Sequence, residues 1–224
     1  LNTYTKKINL TAVNGSQPYG SLCLASNGKM YGLTNLGGAN SVGVLFEYDN
    51  LSNLYTKRVD LSAANGSNPY GTLIQASNGK LYGLTRNGGA NGLGVLFEYI
   101  IATNTYSKVV DFTAAGGSLP EGSLIQASNG KLYGLTSTGG ANSVGALFEF
   151  DPTSNTYSKL YDFSSGSGQT PRGTLKQAAN GKLYGLTQSG GANGMGVVFE
   201  FDITGNTYTK KLDLGVASGN SPLY

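Results

Sequence analysis

The sequence contains no histidine and no tryptophan, and it has one cysteine, Cys23. Histidine and cysteine are the main protein ligands of transition metals, so their scarcity excludes most metal sites of that kind. One cysteine cannot form a disulfide within the chain. Nucleophilic catalysis of the Ser-His or Cys-His type also needs a histidine. We therefore expect no such metal centre and no cofactor.

Charged residues are scarce as well. They make up 12% of the chain, whereas a typical soluble domain has about a quarter. The 15 Lys and Arg residues are spread along the chain, and with 12 Asp and Glu residues they leave a net charge of +3. A nucleic-acid-binding protein usually gathers its basic residues into a patch or stripe. We expect no nucleic acid partner.

Long apolar runs are missing too. No apolar run approaches the length of about 20 residues that a membrane-spanning helix needs. The first residues lack the charged start and apolar core of a signal peptide. We expect no membrane span, and we expect any targeting segment to lie outside this sequence.

One pattern recurs every 51 residues along the chain. An Asn-x-Tyr motif and a proline keep this step without insertion or deletion. The motif begins at Asn2, Asn53, Asn104, Asn155 and Asn206, and the prolines are Pro18, Pro69, Pro120, Pro171 and Pro222. Units of equal length predict equal geometry. We interpret residues 1–224 as one repeat domain with complete units at 18–68, 69–119, 120–170 and 171–221, preceded by residues 1–17 and followed by the start of a further unit at 222–224.

Each unit contains four segments that are rich in β-branched and aromatic residues and are bounded by turn signals. In the second unit we predict strands a to d at residues 71–77, 80–85, 95–99 and 106–112. Asn78-Gly79 between the first two predicts a two-residue type I′ hairpin, in which both positions have a positive φ. Residues 3–10 predict a lone d strand ahead of the first complete unit.

Four antiparallel strands in a unit of this length, apolar on both faces, are typical of a β-propeller blade. The alternative is a β-solenoid, but its rungs are usually shorter and need no hairpin inside each. We predict an all-β propeller of four-stranded antiparallel blades, with four complete blades and one extra d strand. The rest of a ring of about five to eight blades is expected either from a longer chain or from another copy of this one.

Two known repeats resemble these units. Gly139-Gly140, residues 147–152 (LFEFDP) and Asn155-Thr156-Tyr157 resemble the kelch blade, although the usual kelch Trp is here a Tyr. The pattern YGLTxxGGxxxxGxLFEYD is more similar to the GloVer-type tandem repeats of secreted bacterial surface proteins, over essentially the whole chain. This resemblance implies an extracellular or cell-surface bacterial protein and supplies no activity.

Acidic residues recur at fixed positions of the unit, and only Glu121 stands alone. The recurring ones are Glu47, Glu98, Glu149 and Glu200; Asp60, Asp111, Asp162 and Asp213; and Asp49, Asp151 and Asp202. General acid-base catalysis needs two carboxylates in different environments, which equivalent repeat positions do not provide. We therefore expect a protein that is not an enzyme, with a polysaccharide-active enzyme that uses Glu121 as the less favoured alternative.

We interpret the recurring polar residues as scaffold. A Glu on a covered strand has to be paired, and either the recurring lysines or amides of the Gly-rich loop are the expected partners. The lysines are Lys29, Lys80, Lys131 and Lys182. The Asp after strand c and the Asn of Asn-x-Tyr are expected to bond the backbone of their own turns. Ile100 replaces that Asp in the second unit, which argues against a repeated calcium site there, while calcium bound by clustered carbonyls and Asp stays an open alternative.

Binding residues are sought where the units differ. Before strand a the differing residues are Tyr19, Tyr70, Glu121 and Arg172, and after strand b they are the pairs Asn35-Leu36, Arg86-Asn87, Ser137-Thr138 and Gln188-Ser189. Both connections lie on one face of a propeller, so the two sets should meet around its channel. We predict that this face, led by the residues before strand a and by Asn35, Arg86, Ser137 and Gln188, binds a glycan or a protein. The alternatives are a rim without function and a structural building block that self-associates through blade edges.

Overall fold

The computed structural model describes residues 3–216 and 221–222. These residues form four antiparallel four-stranded sheets, which are successive blades of a β-propeller. Blade 1 contains β1 (Cys23–Leu24), β2 (Met30–Thr34), β3 (Val44–Asp49) and β4 (Leu54–Asp60); blade 2 contains β5 (Ile74–Gln75), β6 (Leu81–Thr85), β7 (Val95–Ile100) and β8 (Thr105–Asp111); blade 3 contains β9 (Ile125–Gln126), β10 (Leu132–Thr136), β11 (Ala146–Asp151) and β12 (Thr156–Asp162); blade 4 contains β13 (Lys176–Gln177), β14 (Leu183–Leu186), β15 (Val197–Asp202) and β16 (Thr207–Asp213).

Within each blade the strand order follows the chain order. The pairing of β6 with β7 runs from Leu81 opposite Tyr99 to Thr85 opposite Val95. The structure confirms the predicted blade architecture and excludes the solenoid alternative. No described residue belongs to a helix that is long and apolar enough to cross a lipid bilayer. Asn2 and the last two residues of the predicted further unit lie outside the described residues, and the unit boundaries given above stay predictions.

The first strand of each blade is shorter than predicted. In blade 2, β5 contains only Ile74 and Gln75, not the whole of residues 71–77. The residues before it bond the neighbouring blade instead, since the backbone N–H of Thr72 donates to Ser123 Oγ at 2.8 Å. Contact between blades therefore replaces pairing within the blade at this end.

The predicted two-residue type I′ hairpin is wrong. Gly79 has a φ of +80°, whereas Asn78 has no positive φ. Gly79 N donates to Ala76 O at 2.8 Å, and Ala76 N donates to Lys80 O at 3.0 Å. This is a three-residue loop in which only the glycine is left-handed, the common alternative to the two-residue turn. Asn78 instead accepts a bond from Lys80 N with its side chain at 3.1 Å.

The predicted lone d strand at residues 3–10 is also not formed, since these residues belong to no strand. Tyr4 within the segment is 90% exposed. A d strand is held by the c strand that pairs with it, and no c strand of the described chain pairs with this segment. An isolated strand in water leaves its backbone groups to solvent and gains no ladder.

The hydrophobic core lies between consecutive blades. Between blades 1 and 2, Tyr31 and Leu45 pack with Leu73, Phe97 and Tyr99. Equivalent clusters join blades 2 and 3 and blades 3 and 4. Burying a side chain such as Phe97 stabilises the fold by about 1.5–3 kcal/mol. Blade stacking therefore buries the apolar core that stabilises the fold.

The recurring glutamates are paired with the recurring lysines, as predicted. The Nζ–Oε distances are 2.7 Å for Lys29–Glu47, 2.9 Å for Lys80–Glu98, 2.7 Å for Lys131–Glu149 and 2.9 Å for Lys182–Glu200. Each of these glutamates also accepts a hydrogen bond from the tyrosine of the neighbouring strand, Tyr31, Tyr82, Tyr133 or Tyr184. This row of carboxylates is therefore scaffold.

The turns after the third strand confirm one half of the prediction for polar caps. Asp151 Oδ1 accepts from the backbone N–H groups of Thr153 and Ser154 at 2.8 and 3.3 Å. The Asn of the Asn-x-Tyr motif works differently. Asn53 has a φ of +57°, and its side chain accepts from the Tyr48 hydroxyl at 3.0 Å. Asn is used here because it tolerates the left-handed conformation.

Candidate binding site at the convergence of the blades

The four blades approach one another most closely at a glycine that precedes the first strand of each. A Cβ atom on Gly71 would lie 2.4 Å from the carbonyl oxygen of Gly122, and one on Gly122 would lie 2.3 Å from that of Gly173. Such distances are too short for any side chain, so glycine is required for this approach. The differing residue of each unit stands directly before this glycine. The backbone thus brings the differing positions together.

A row of hydrogen bonds to Ser and Thr hydroxyl groups, the hydroxyl ladder, joins the residues that follow these glycines in consecutive blades. Ser21 N donates to Thr72 Oγ1 at 2.8 Å, Thr72 N donates to Ser123 Oγ at 2.8 Å, and Ser123 N donates to Thr174 Oγ1 at 3.0 Å. Each bond joins one blade to the next. The ladder holds the geometry of the site independently of the residues that differ.

These ends surround an open cavity of about 450 Å³. Tyr19, Tyr70 and Glu121 line it together with the glycines and hydroxyl residues just described. The aromatic rings of Tyr19 and Tyr70 stack with centroids 5.0 Å apart and planes inclined by 21°. The guanidinium carbon of Arg86 lies 5.8 Å from the centroid of the Tyr70 ring, within the range of a cation–π contact. Tyr19 is 57% exposed, so a large part of this side chain is open to a ligand.

Glu121 is buried between two arginines. Its carboxylate lies 2.9 Å from Arg86 Nε and 3.1 Å from Arg172 Nε. Ser137 Oγ approaches it at 3.4 Å and donates to Leu119 O at 2.7 Å. The side chain of Glu121 is only 4% exposed, and a buried carboxylate needs such partners. Two guanidinium groups against one carboxylate leave a local charge of about +1 beside the cavity.

The structure brings six of the eight predicted residues together, and three of them, Tyr19, Tyr70 and Glu121, line the cavity. Tyr19, Tyr70, Arg86, Glu121, Ser137 and Arg172 form one connected group. Asn35 is buried and donates from Nδ2 to Pro69 O at 3.2 Å, which makes it a link between blades. Gln188 donates from its backbone N to Thr170 O at 3.3 Å. Asn35 and Gln188 are not among the described residues that line the cavity, and neither are Arg86, Ser137 and Arg172.

Sequence reasoning missed the hydroxyl residues of the ladder, which also line the cavity. Their signal is the Ser or Thr that follows the glycine in every unit, and its recurrence places it with the scaffold. The hydroxyl groups on the cavity wall can donate and accept hydrogen bonds, and the two arginines paired with Glu121 add positive charge beside it, which suits a polar or anionic ligand. Within residues 3–216 and 221–222 no three His, Cys, Asp or Glu side chains gather as a metal site would require.

Comparisons with known proteins address the family and the fold. A family model described as the Gloeobacter/Verrucomicrobia repeat matches residues 1–128 and 122–224, which confirms the GloVer-type resemblance. No curated protein matches the chain.

Solved structures share the fold at low sequence identity. The extracellular domain of a putative one-component system from B. thetaiotaomicron is 12% identical, with a TM-score of 0.65 over 97% of this chain and 25% of that one. The extracellular domain of a putative hybrid two-component system from the same organism is 14% identical, with a TM-score of 0.62 over 92% and 24% of the two chains. TolB from Acinetobacter baumannii is 13% identical, with a TM-score of 0.53 over 81% and 40%. The chain thus spans less than half the length of each of these structures.

Proposed function

The chain belongs to the Gloeobacter/Verrucomicrobia repeat family, and on that premise we propose that it is an extracellular, non-enzymatic module that binds a glycan at the convergence of its blades. The observation that carries the proposal is the position of the differing residues. Tyr19, Tyr70 and Glu121 line one cavity, although nearly every other residue at this end repeats. Positions that differ in chemistry within an otherwise repeated frame are those expected of a recognition surface.

The size of the cavity favours a small ligand. Its volume of about 450 Å³ falls within the roughly 300–1,000 Å³ of ligand sites. A flat protein partner usually needs about 800 Å² of surface on each side. A sugar or a single inserted peptide loop fits the space better, and the first of these is the proposal.

The chemistry of the cavity favours a sugar. The ring of Tyr19 offers an apolar surface on which the C–H face of a pyranose can stack, and its hydroxyl donates to Gln17 Oε1 at 3.1 Å. Ser and Thr hydroxyls supply hydrogen-bond partners around it. The excess of guanidinium over carboxylate groups adds an attraction for an acidic sugar such as a uronate.

The same geometry favours binding over catalysis. Of the described residues that line the cavity, only Glu121 carries a carboxylate, and it is held between Arg86 and Arg172. A general acid or base needs a partner of different acidity within reach of the substrate. No second carboxylate stands among the described lining residues to act with it.

The extracellular location is proposed from the family resemblance and from the names of two structures with the same fold. Both B. thetaiotaomicron structures are described as extracellular domains. Their sequence identity to this chain supports a shared fold, and their location is carried over here only as a proposal.

Isothermal titration calorimetry of the chain with neutral gluco- and manno-oligosaccharides and with oligogalacturonates tests the proposal. We expect binding of at least one class, with affinity for the uronates falling as salt rises. Tyr19→Ala should weaken this binding about five- to 150-fold, because a lost aromatic face is worth about 1–3 kcal/mol. Tyr4→Ala is the matched control, since Tyr4 is 90% exposed and is not among the residues that line the cavity.

Three results would contradict the proposal. One is the absence of binding to every sugar in the panel, which would leave a protein loop as the ligand to consider. Another is binding that Tyr4→Ala weakens as much as Tyr19→Ala does. The third is turnover of an oligosaccharide that is lost in Glu121→Gln, which would replace the binding module with an enzyme.

A further inference from the structure

Two blade faces have no neighbouring blade among the described residues. On blade 4, Leu186 is 36% exposed, whereas the equivalent Leu33, Leu84 and Leu135 are 5%, 3% and 2% exposed. Leu212 on the same blade is 49% exposed. In blades 1 to 3 the corresponding face packs against the next blade. The blade 4 face is therefore an interblade surface that lacks its partner.

Blade 1 presents the complementary face. Leu22 is 49% exposed, whereas the equivalent Leu73, Leu124 and Leu175 are 3%, 3% and 2% exposed. A groove of about 220 Å³ with an apolar lining runs beside it. Leu22, Met30, Phe46, Tyr48 and Tyr55 form its wall on the blade. This is the surface that blades 2 to 4 bury against the preceding blade.

The other wall of that groove shows which sequence the blade 1 face accepts. Lys7, Ile8 and Leu10 line it, and they belong to the segment 3–10, TYTKKINL. Residues 207–214 of blade 4 read TYTKKLDL, with β16 inside them. The blade 1 face thus already contacts a close copy of the outer strand of blade 4. Tyr4 of this segment is 90% exposed, so the segment is seated only at its second half.

A polar latch, formed by a Ser of one blade and a Gln of the next, joins consecutive blades, and both of its residues are replaced at the two open faces. Gln75 Nε2 donates to Ser26 Oγ, Gln126 Nε2 to Ser77 Oγ and Gln177 Nε2 to Ser128 Oγ, at 3.0, 3.0 and 3.1 Å, and each Gln Oε1 accepts from the backbone N–H of the same serine. In blade 4 the serine position is Ala179, and in blade 1 the glutamine position is Leu24. Leu24 is 67% exposed. An alanine facing a leucine replaces the polar pair with an apolar one, as expected if these two faces meet.

A second pair changes in the same way. Arg58 of blade 1 is close enough to Tyr99 of blade 2 to interact with it electrostatically. In the next two junctions the tyrosine position is a Phe and the arginine position is apolar. These pairs are Val109 with Phe150 and Leu160 with Phe201. The residue of blade 4 equivalent to Arg58 is Lys211, and the residue of blade 1 equivalent to Tyr99 is Tyr48. A cation again matches a tyrosine if blade 4 precedes blade 1.

We propose that the blade 4 face of one chain docks on the blade 1 face of a second copy, head to tail, in the manner of two consecutive blades. The incoming β16 displaces residues 3–10, which it resembles, and adds the rest of the blade 4 face to the contact. Both faces are used once per chain, so the contact is heterologous and either closes a ring or continues as a filament.

Sedimentation velocity and light scattering of the chain from low to high micromolar concentration test the proposal. We expect a mass that rises with concentration to at least twice the 23.2 kDa of one chain. Leu24→Gln should weaken association about tenfold, because it replaces an apolar contact with an amide whose Nε2 finds no Oγ acceptor on Ala179. The double variant Leu24→Gln with Ala179→Ser should restore it, since it recreates the latch that joins the other blades. A variant that is unfolded or that aggregates nonspecifically would not be rescued in this way.

The direction of the contact is tested by blocking one face at a time. Leu22→Lys blocks blade 1 and Leu186→Lys blocks blade 4. Each variant alone should be a monomer. A mixture of the two should form one-to-one pairs, in which the unblocked blade 4 face of one variant contacts the unblocked blade 1 face of the other. A chain that stays monomeric at high micromolar concentration overturns the proposal. Association that neither blocking variant affects overturns it as well.

Discussion

Glu121 and Arg86, 35 residues apart, form an ion pair of 2.9 Å where blades 2 and 3 meet. Both stand at positions that differ from unit to unit. Arg86 follows β6 and Glu121 precedes β9, so their contact links the loop after the second strand of blade 2 to the loop before the first strand of blade 3. The residues that break the repeat are therefore coupled to one another in space, and the proposed binding site rests on this coupling.

Glu121→Gln should lower the free energy of unfolding by about 1–3 kcal/mol. The side chain is 4% exposed, and its loss of charge leaves two guanidinium groups facing each other without a counterion. The arginine side chains are each 32% exposed, so water compensates part of the loss. Urea denaturation measures the change.

The double variant Glu121→Gln with Arg86→Gln provides the control for this pair. Removing one arginine relieves part of the repulsion, so the double variant should be more stable than the sum of the single changes predicts. Additive effects of the two single changes would show that the ion pair is not coupled in solution.

Gly122→Ala should destabilise the fold by about 2 kcal/mol or more. A Cβ there would lie 2.3 Å from the carbonyl oxygen of Gly173, so the two backbones would have to separate and the hydroxyl ladder would be lost. Gly166→Ala is the matched control, because nothing lies within 4 Å of a Cβ at Gly166. It should be neutral or stabilising by up to about 1 kcal/mol. Equal melting temperatures for the two variants would contradict the close approach of the blades.

Stability should fall on acidification. Hydrogen bonds from Tyr184 and Lys182 lower the pKa of Glu200 from 4.5 to about 2. Burial alone would raise the pKa of Glu47, but bonds from Lys29, Tyr31 and Arg58 outweigh it and lower that pKa as well. A carboxyl whose pKa is lower in the folded state stabilises the fold above its unfolded pKa, and this contribution disappears as pH falls through the folded value.

The melting temperature should therefore decline between about pH 4.5 and pH 2. Glu200→Gln removes one of the responsible groups, so its melting temperature should depend less steeply on pH over the same interval. A wild-type chain whose stability is flat or rises on acidification would contradict this account of the Lys-Glu-Tyr row.

Phe148→Ala and Phe46→Ala make the same change at one position of two units. Phe148 is fully buried between blades, and Phe46, at 7% exposure, lies at the open face of blade 1. The first variant should lose about 3–5 kcal/mol, and the second should lose less because one side of its ring has no neighbouring blade. Urea denaturation at low protein concentration measures both. A larger loss for Phe46→Ala would contradict the assignment of the open face.

The period of 51 residues and the residue types of the strands were sufficient to predict the blades, because equal units fold alike. They were not sufficient for the first strand, whose length depends on how closely Gly71 and Gly122 approach each other. The Asn78-Gly79 turn was mispredicted because the sequence does not show whether one or two loop residues take a positive φ. Residues 3–10 read as a strand, but a strand forms only beside a partner.

The candidate site was predictable as far as position in the unit decides it. Tyr19, Tyr70, Glu121 and Arg172 stand before the converging glycines, so one face for all of them follows from blade topology. Asn35 and Gln188 stand at the other differing position, yet their side chains serve contacts between blades or lie outside the cavity. Side-chain direction at the end of a second strand depends on the loop that follows, and the repeat pattern does not contain that information.

Ligand binding where the blades converge is tested most directly by an NMR titration with the oligosaccharide that calorimetry selects. The account predicts shifts of the backbone amides of Gly20, Ser21, Gly71, Thr72, Gly122 and Ser123, which lie around the cavity. The hairpin loops at Gly28, Gly79 and Gly130 should not respond. Shifts confined to those loops or to the outer strands β4, β8 and β12 would contradict it.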